Sequence, residues 1–361
     1  MKATQALHNL GQSLWLDNIT RTLLDDGTIA GYINDLSVTG LTSNPSIFQK
    51  AMASGDAYDK DIAAADPAQA TEALFIDLAL DDLRRAAKLF EPAHHASHGV
   101  DGWVSREVSP LLANDSNGSI TAAQHIHDLA DCANLFVKIP GTPAGVPAIE
   151  ESIFAGIPIN VTLLFSCEQY LASANAYLHG IERRIKAGLD PKVCSVASVF
   201  ISRWDVAVAD KVPADLRNTL GIAEAGRCYR AYRELLDSPR YQAIIKAGGL
   251  PQRLLWASTS VKDPNAPDTL YVEALAAPDT INTIPGKTLL AFADHGKLGE
   301  PMDASAEAAT LMLGKLRDAG IDIAAVAQQL QDEGTHSFDT AWNKLMAGLE
   351  AKRKQLTEAQ A

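Results

Sequence analysis

Eight short apolar runs, each divided from the next by a longer amphipathic stretch, restrict the fold of this chain more than any other feature. The runs are Ser13–Asp17, Gly40–Asn44, Gly102–Glu107, Leu135–Ile139, Ile157–Leu163, Val193–Phe200, Leu254–Ser258 and Thr280–Ile284. Their length suits buried strands. The stretches between them carry a helical period: in Thr71–Phe90, residues Leu74, Leu78, Leu83, Ala86 and Leu89 fall at helical spacing, and Glu168–Ala187 and Ala223–Leu236 behave alike. Strands alternating with helices build βαβ units and a parallel sheet. Eight such units favour a closed α/β barrel, the (β/α)8 TIM barrel, over an open doubly wound sheet.

The expected organisation is one barrel domain over residues 1–361 with two helical additions. The stretch at about 205–249 is too long for a single crossover helix and reads as an extra layer between strands six and seven. After Pro285, residues 286–361 turn helical through Asp303–Ala319, Ile323–Gln331 and Phe338–Arg353, with a polar tail expected to fray.

Composition removes several function classes. Lys and Arg number 31 against 44 Asp and Glu, a net charge of −13, and no basic run occurs, so nucleic acid is not an expected partner. An anionic ligand must then be held by a small local cluster of cations working against the overall field. Neither a Gly-x-Gly-x-x-Gly turn after the first strand nor a Gly-x-x-x-x-Gly-Lys loop is present, so neither a dinucleotide nor a P-loop site is signalled. Cys132, Cys167, Cys194 and Cys228 form no Cys-x-x-Cys pair and read as reduced core thiols. No apolar leader and no stretch of ~20 apolar residues occurs, so a soluble, cytoplasmic chain without a membrane partner is expected.

Polar residues stand at the ends of the apolar runs. Side chains alternate along a strand, so Leu135, Val137 and Ile139 share one face while Lys138 joins Phe136 on the other. In a barrel that second face is the interior, and its C-terminal mouth is where active sites form. Asp17, Asn44, Glu107, Lys138, Asn160, Thr162 and Ser198 are expected to converge there, an arrangement that is costly unless it serves a ligand. A lysine flanked by Phe136, Val137 and Ile139 loses hydration, which favours its neutral, nucleophilic form. The plainer reading is a lysine snorkelling to the rim or paired with an acid. Acids on neighbouring strands able to move protons tip the balance toward chemistry.

The chain resembles the transaldolases. The resemblance rests on Leu16-Asp17-Asn18, Gly40-Leu41-Thr42-Ser43-Asn44-Pro45-Ser46, Val104-Ser105-Arg106-Glu107-Val108, Val137-Lys138-Ile139-Pro140, Ile159–Ser166 and Ser198–Asp205, in that order along nearly the whole chain. It implies a (β/α)8 barrel with a Schiff-base lysine on strand four, where the strand count had already placed Lys138. It implies transfer of a dihydroxyacetone unit from sedoheptulose 7-phosphate or fructose 6-phosphate to glyceraldehyde 3-phosphate or erythrose 4-phosphate, in the non-oxidative pentose phosphate pathway. By the same resemblance Lys138 forms the iminium, Asp17 takes the proton of the C4 hydroxyl, and Glu107 moves protons through a water also held by Thr162. Asn44 and Asn160 bind hydroxyls of the transferred unit, Ser198 positions it, and Arg203 binds phosphate.

Two positions depart from the family pattern. Strand seven reads Trp256-Ala257-Ser258-Thr259-Ser260-Val261-Lys262 where many transaldolases carry a second arginine, so Ser258, Ser260 and Lys262 are its expected substitutes. Phe200 stands where related fructose 6-phosphate aldolases tend to carry a tyrosine, and its lack of a hydroxyl favours transfer over cleavage. For Arg203 the plainer alternative is a surface salt bridge with Asp205. His94, His95 and His98 are expected in a solvated loop, His125 and His127 on different faces of a helix, and His336 at the start of the final helix as a cap or packing residue. Tyr229 and Tyr232 read as core. No metal and no cofactor are expected, because an iminium-forming lysine needs neither. The expected partners are small sugar phosphates, with the chain working as a monomer or homodimer.

Overall fold

A computed structural model of the chain describes residues 1–53 and 55–360. Eight parallel strands close into a barrel in sequence order: β1 (Ser13–Asp17), β2 (Val38–Thr42), β3 (Val104–Glu107), β4 (Leu135–Pro140), β5 (Ile159–Leu164), β6 (Ser195–Phe200), β7 (Gln252–Ala257) and β8 (Ile281–Ile284). The expected architecture is the observed one. Closure comes from β1 pairing β8 with Leu16 opposite Ile284, which leaves no free sheet edge.

Alternation divides each strand between two environments. Val104, Leu135, Val137, Ile139, Ile159 and Val161 face outward and join a core shared with the surrounding helices. Trp15, Trp103, Phe136, Val196, Leu255 and Ile281 fill the barrel interior, with Trp103 stacked on Phe136 at 4.0 Å between ring centroids. Gly40 lets the indole in: a Cβ there would lie 2.7 Å from both Trp15 Nε1 and the Trp103 carbonyl oxygen. The lower end is closed by polar bonding. Trp15 Nε1 donates to Asp101 at 2.7 Å, Ser13 also donates to Asp101, and Arg253 Nη2 donates to Ser13 Oγ at 2.8 Å.

Several local expectations need correction. Ser43 and Asn44 lie beyond β2; Pro45 opens the helix Pro45–Ala53, and the Ile47 amide donates to Asn44 Oδ1 at 3.2 Å. A proline at the first helical position with an asparagine cap outweighs continuation of the strand. His94 and His95 sit in the last turn of the helix Thr71–Ala96 rather than in a loop, since that helix carries Pro92 without ending. The two expected terminal helices are one, Ile323–Gln360, so His336 lies mid-helix and exposed, neither capping nor packed. The polar tail is helical through Gln360, and Ala361 lies outside the described residues.

The layer between β6 and β7 comprises the helices Ser202–Val208, Leu220–Asp237 and Pro239–Lys246 with a short 3-10 turn at Ala214–Leu216. Asp205 does not pair with Arg203. Its carboxylate accepts from the Leu220 amide at 2.9 Å and from Tyr271 Oη at 2.8 Å, capping the Leu220–Asp237 helix, and burial pushes it up to about 6. Among the described residues no helix is long and apolar enough to cross a membrane.

Candidate active site

Three adjacent strands place three chemical groups side by side. The register sets Glu107 opposite Lys138, and Lys138 opposite Asn160. Lys138 Nζ donates to the Ser43 carbonyl at 3.1 Å and lies 3.7 Å from Glu107 Oε2. Both side chains are buried. Asp17 Oδ1 accepts from Thr42 Oγ1 at 2.9 Å, and Thr42 is bonded to Thr283 across the barrel at 2.7 Å. The hydrogen bond ties the Asp17 carboxylate to β2.

The electrostatics separate the two acids from ordinary carboxylates. Burial pushes Glu107 up to about 7, with Asp17 adding to the rise and Lys138 opposing it. Burial also raises Asp17, against the pull of Lys138, the Thr42 hydrogen bond and Lys262. Among the described residues neither Glu107 carboxylate oxygen has a hydrogen-bond partner, nor does Thr162 Oγ1. Buried polar atoms are rarely left unbonded, so such a cluster marks a place built for a ligand or a water.

A cavity of about 360 Å³ opens over these groups, lined at its base by Asp17, Thr42, Lys138, Thr162, Ser198 and Thr283. Asn160 and Glu107 are outside that lining; both are buried, opposite Lys138 on the two strands that flank it. Asn160 Nδ2 donates to Ser105 Oγ at 3.1 Å, and Ser198 Oγ donates to Asn160 Oδ1 at 2.7 Å, so the amide orientation is set from two strands. Asn44 lines the wall, and Phe200, Arg203, Ser258, Ser260 and Lys262 form the far side. All the sequence-predicted residues except Glu107 and Asn160 therefore line one mouth. Ser258 has a left-handed backbone, φ 57°, and shares a 3.0 Å hydrogen bond with Ser202, while Ser260 accepts from Lys262.

The cations collect at the outer part of this cavity. The Arg203 guanidinium lies over the Phe200 ring, 5.5 Å from its centroid, and burial lowers its basicity against the attraction of Glu333. Lys262 is held below the usual lysine value by burial, then by Arg203 and Lys50, with Asp17 opposing. Lys50, Ser46 and Ile47 belong to the wall and were not anticipated. The signal for them was the Asn44-Pro45 helix start, which points the first turns of Pro45–Ala53 over the mouth and sets Ser46 and Lys50 one turn apart. Phe338 of the final helix was also missed, and no local signal announces it.

A family model for transaldolase/fructose-6-phosphate aldolase matches residues 14–349. The chain belongs to this family. Similar proteins include a transaldolase of Thiobacillus denitrificans, 42% identical over 96% of this chain and 99% of its own length. Transaldolases of Thermobifida fusca and Mycolicibacterium smegmatis are each 42% identical, over 95% and 98% of this chain and 96% and 97% of theirs. The chain is a transaldolase-family enzyme. An outer cavity of about 250 Å³ near Ile222, Met302 and Met312 is mostly apolar and holds no comparable set of ionisable groups. Among the described residues no group of three or more His, Cys, Asp or Glu side chains is arranged to hold a metal.

Proposed function

We propose that the chain transfers a dihydroxyacetone unit between sugar phosphates through a Schiff base on Lys138. The observation that carries the reading is the buried Lys138 amine 3.7 Å from a carboxyl held at about 7. A group of that value takes and returns protons near neutral pH. The amine adds to the C2 carbonyl of sedoheptulose 7-phosphate or fructose 6-phosphate, giving a carbinolamine. Glu107, through a water also bonded to Thr162, supplies the proton on which the hydroxyl leaves as water. The iminium that remains is the electron sink. Asp17 takes the C4 hydroxyl proton as the C3–C4 bond breaks, releasing an aldose phosphate and leaving an enamine on Lys138. Addition of that enamine to glyceraldehyde 3-phosphate or erythrose 4-phosphate, with Asp17 returning the proton, reverses the sequence and hydrolysis frees Lys138.

Asn44, Asn160 and Ser198 hold the hydroxyls of the three-carbon unit. Arg203 and Lys262, with Ser258 and Ser260 between them, receive the phosphate; a guanidinium suits such an anion because it offers paired donors. This chemistry serves the non-oxidative pentose phosphate pathway and suits a reducing cytoplasm, where thiols such as the four free cysteines persist. Phe200 offers no hydroxyl to protonate the enamine, which favours transfer over release of free dihydroxyacetone.

Borohydride reduction in the presence of fructose 6-phosphate tests the reading. One adduct mapping to Lys138 is expected, with none in Lys138→Ala, which keeps its circular dichroism and loses turnover. Folded wild-type protein that yields no adduct would overturn the mechanism. Dihydroxyacetone released without an acceptor as fast as it is transferred would identify a lyase instead.

A further inference from the structure

Outside the barrel, two of the four cysteines meet. Cys167 is the first residue of the helix Cys167–Lys186, directly after its cap Ser166, and Cys228 lies on the facing helix Leu220–Asp237. Cys167 Sγ is 3.8 Å from the carbonyl oxygen of Arg227, the residue before Cys228, which brings the two cysteines side by side across the helix interface. Cys228 is wholly buried, whereas Cys167 lines a separate cavity of about 400 Å³ together with Leu171, Arg227, Arg230 and Arg317. Both thiols are buried, and of the two only Cys167 borders the cavity.

We propose that Cys167 and Cys228 are a peroxide-reactive thiol pair that closes a disulfide between these two helices. The environment separates Cys167 from the other cysteines. The Cys228 thiol hydrogen and the Arg227 guanidinium hold it below the ordinary thiol value, against burial and the Glu168 and Glu224 carboxylates. Burial raises Cys132, and pushes Cys194 up to about 12. A thiolate at the first turn of a long helix also gains from the helix dipole.

The chemistry balances with hydrogen peroxide as oxidant. The Cys167 thiolate attacks one peroxide oxygen and the O–O bond breaks; the departing hydroxide takes up the thiol proton and leaves as water. Cys228 sulfur then displaces the sulfenic hydroxyl, which leaves with the Cys228 proton as a second water. The two thiols are oxidised by two electrons and the peroxide is reduced.

The test is mild peroxide treatment of the full chain, followed by intact mass and peptide mapping under non-reducing conditions. Loss of two hydrogen atoms is expected, with the Cys167 and Cys228 peptides joined and separated again by dithiothreitol. In Cys228→Ser the reaction stops at a sulfenic acid that dimedone labels on Cys167. Should that variant not fold, prior alkylation of wild-type Cys167 serves in its place and must abolish the link. Dimedone labelling first at Cys132 or Cys194, or overoxidation of Cys167 without a joined peptide, would overturn the proposal.

Discussion

Glu107 concentrates the residue-scale physics. A carboxyl raised from its ordinary 4.5 to about 7 binds more protons in the folded than in the unfolded chain between those values. Stability therefore falls as pH climbs through that window, by about 3 kcal/mol in full. Glu107→Gln removes this dependence. Relative to wild type it is expected to gain stability steadily between pH 4.5 and 7, read by urea unfolding at several pH values. Turnover is expected to fall by about 10²–10⁴, and the inflection near neutral pH in the kcat profile to vanish. An unchanged profile would assign the proton transfer to another group. Lys138 and Asp17 were legible one residue at a time because strand alternation depends only on near neighbours. Lys50 was not, because its place at the mouth depends on how the Pro45–Ala53 helix leans over the barrel.

At the scale of elements, the turn after β4 is tightly packed against the end of that strand. Gly145 begins the helix Gly145–Ala155, and a Cβ there would overlap the Pro140 carbonyl oxygen at the end of β4. Backbone cannot step aside as a long side chain does. Gly145→Ala is expected to cost about 1–3 kcal/mol, lowering the melting temperature by a few degrees in a thermal scan, and to reduce activity by tilting β4. Retention of both would mean that the turn yields freely. The final helix shows why its continuity was missed. Gly334-Thr335-His336-Ser337 has low helix propensity, which suggests a break. Packing decides otherwise: a Cβ at Gly334 would lie 3.0 Å from Leu163 and 3.7 Å from an Arg203 nitrogen, so the glycine allows the helix to cross closely over the mouth. Gln331 secures the crossing by donating to the Gly141 and Leu163 carbonyls at 3.1 and 3.0 Å.

For the whole molecule, the outward-facing core runs from Leu7 to Leu349 through every strand, and the final helix contributes Trp342, Leu345 and Leu349 to it. The helical additions share buried residues with the barrel, so we expect one cooperative unfolding transition. Trp15, Trp103 and Trp204 report on the interior cluster while Trp256 and Trp342 report on the outer one, so fluorescence and circular dichroism should give coincident curves. Two separated transitions would show an addition folding independently. Sequence by itself determined the eight alternating units, the inward face of each strand, and Lys138 beside an acid on the next strand. Those follow from periodicity among consecutive residues, which local sterics and burial enforce. Only the tertiary structure decided which distant residues meet: Lys50 with Arg203 and Lys262, Phe338 at the rim, Cys167 against Cys228. These meetings follow from barrel closure and helix packing, which act between segments far apart in the chain and leave no local pattern.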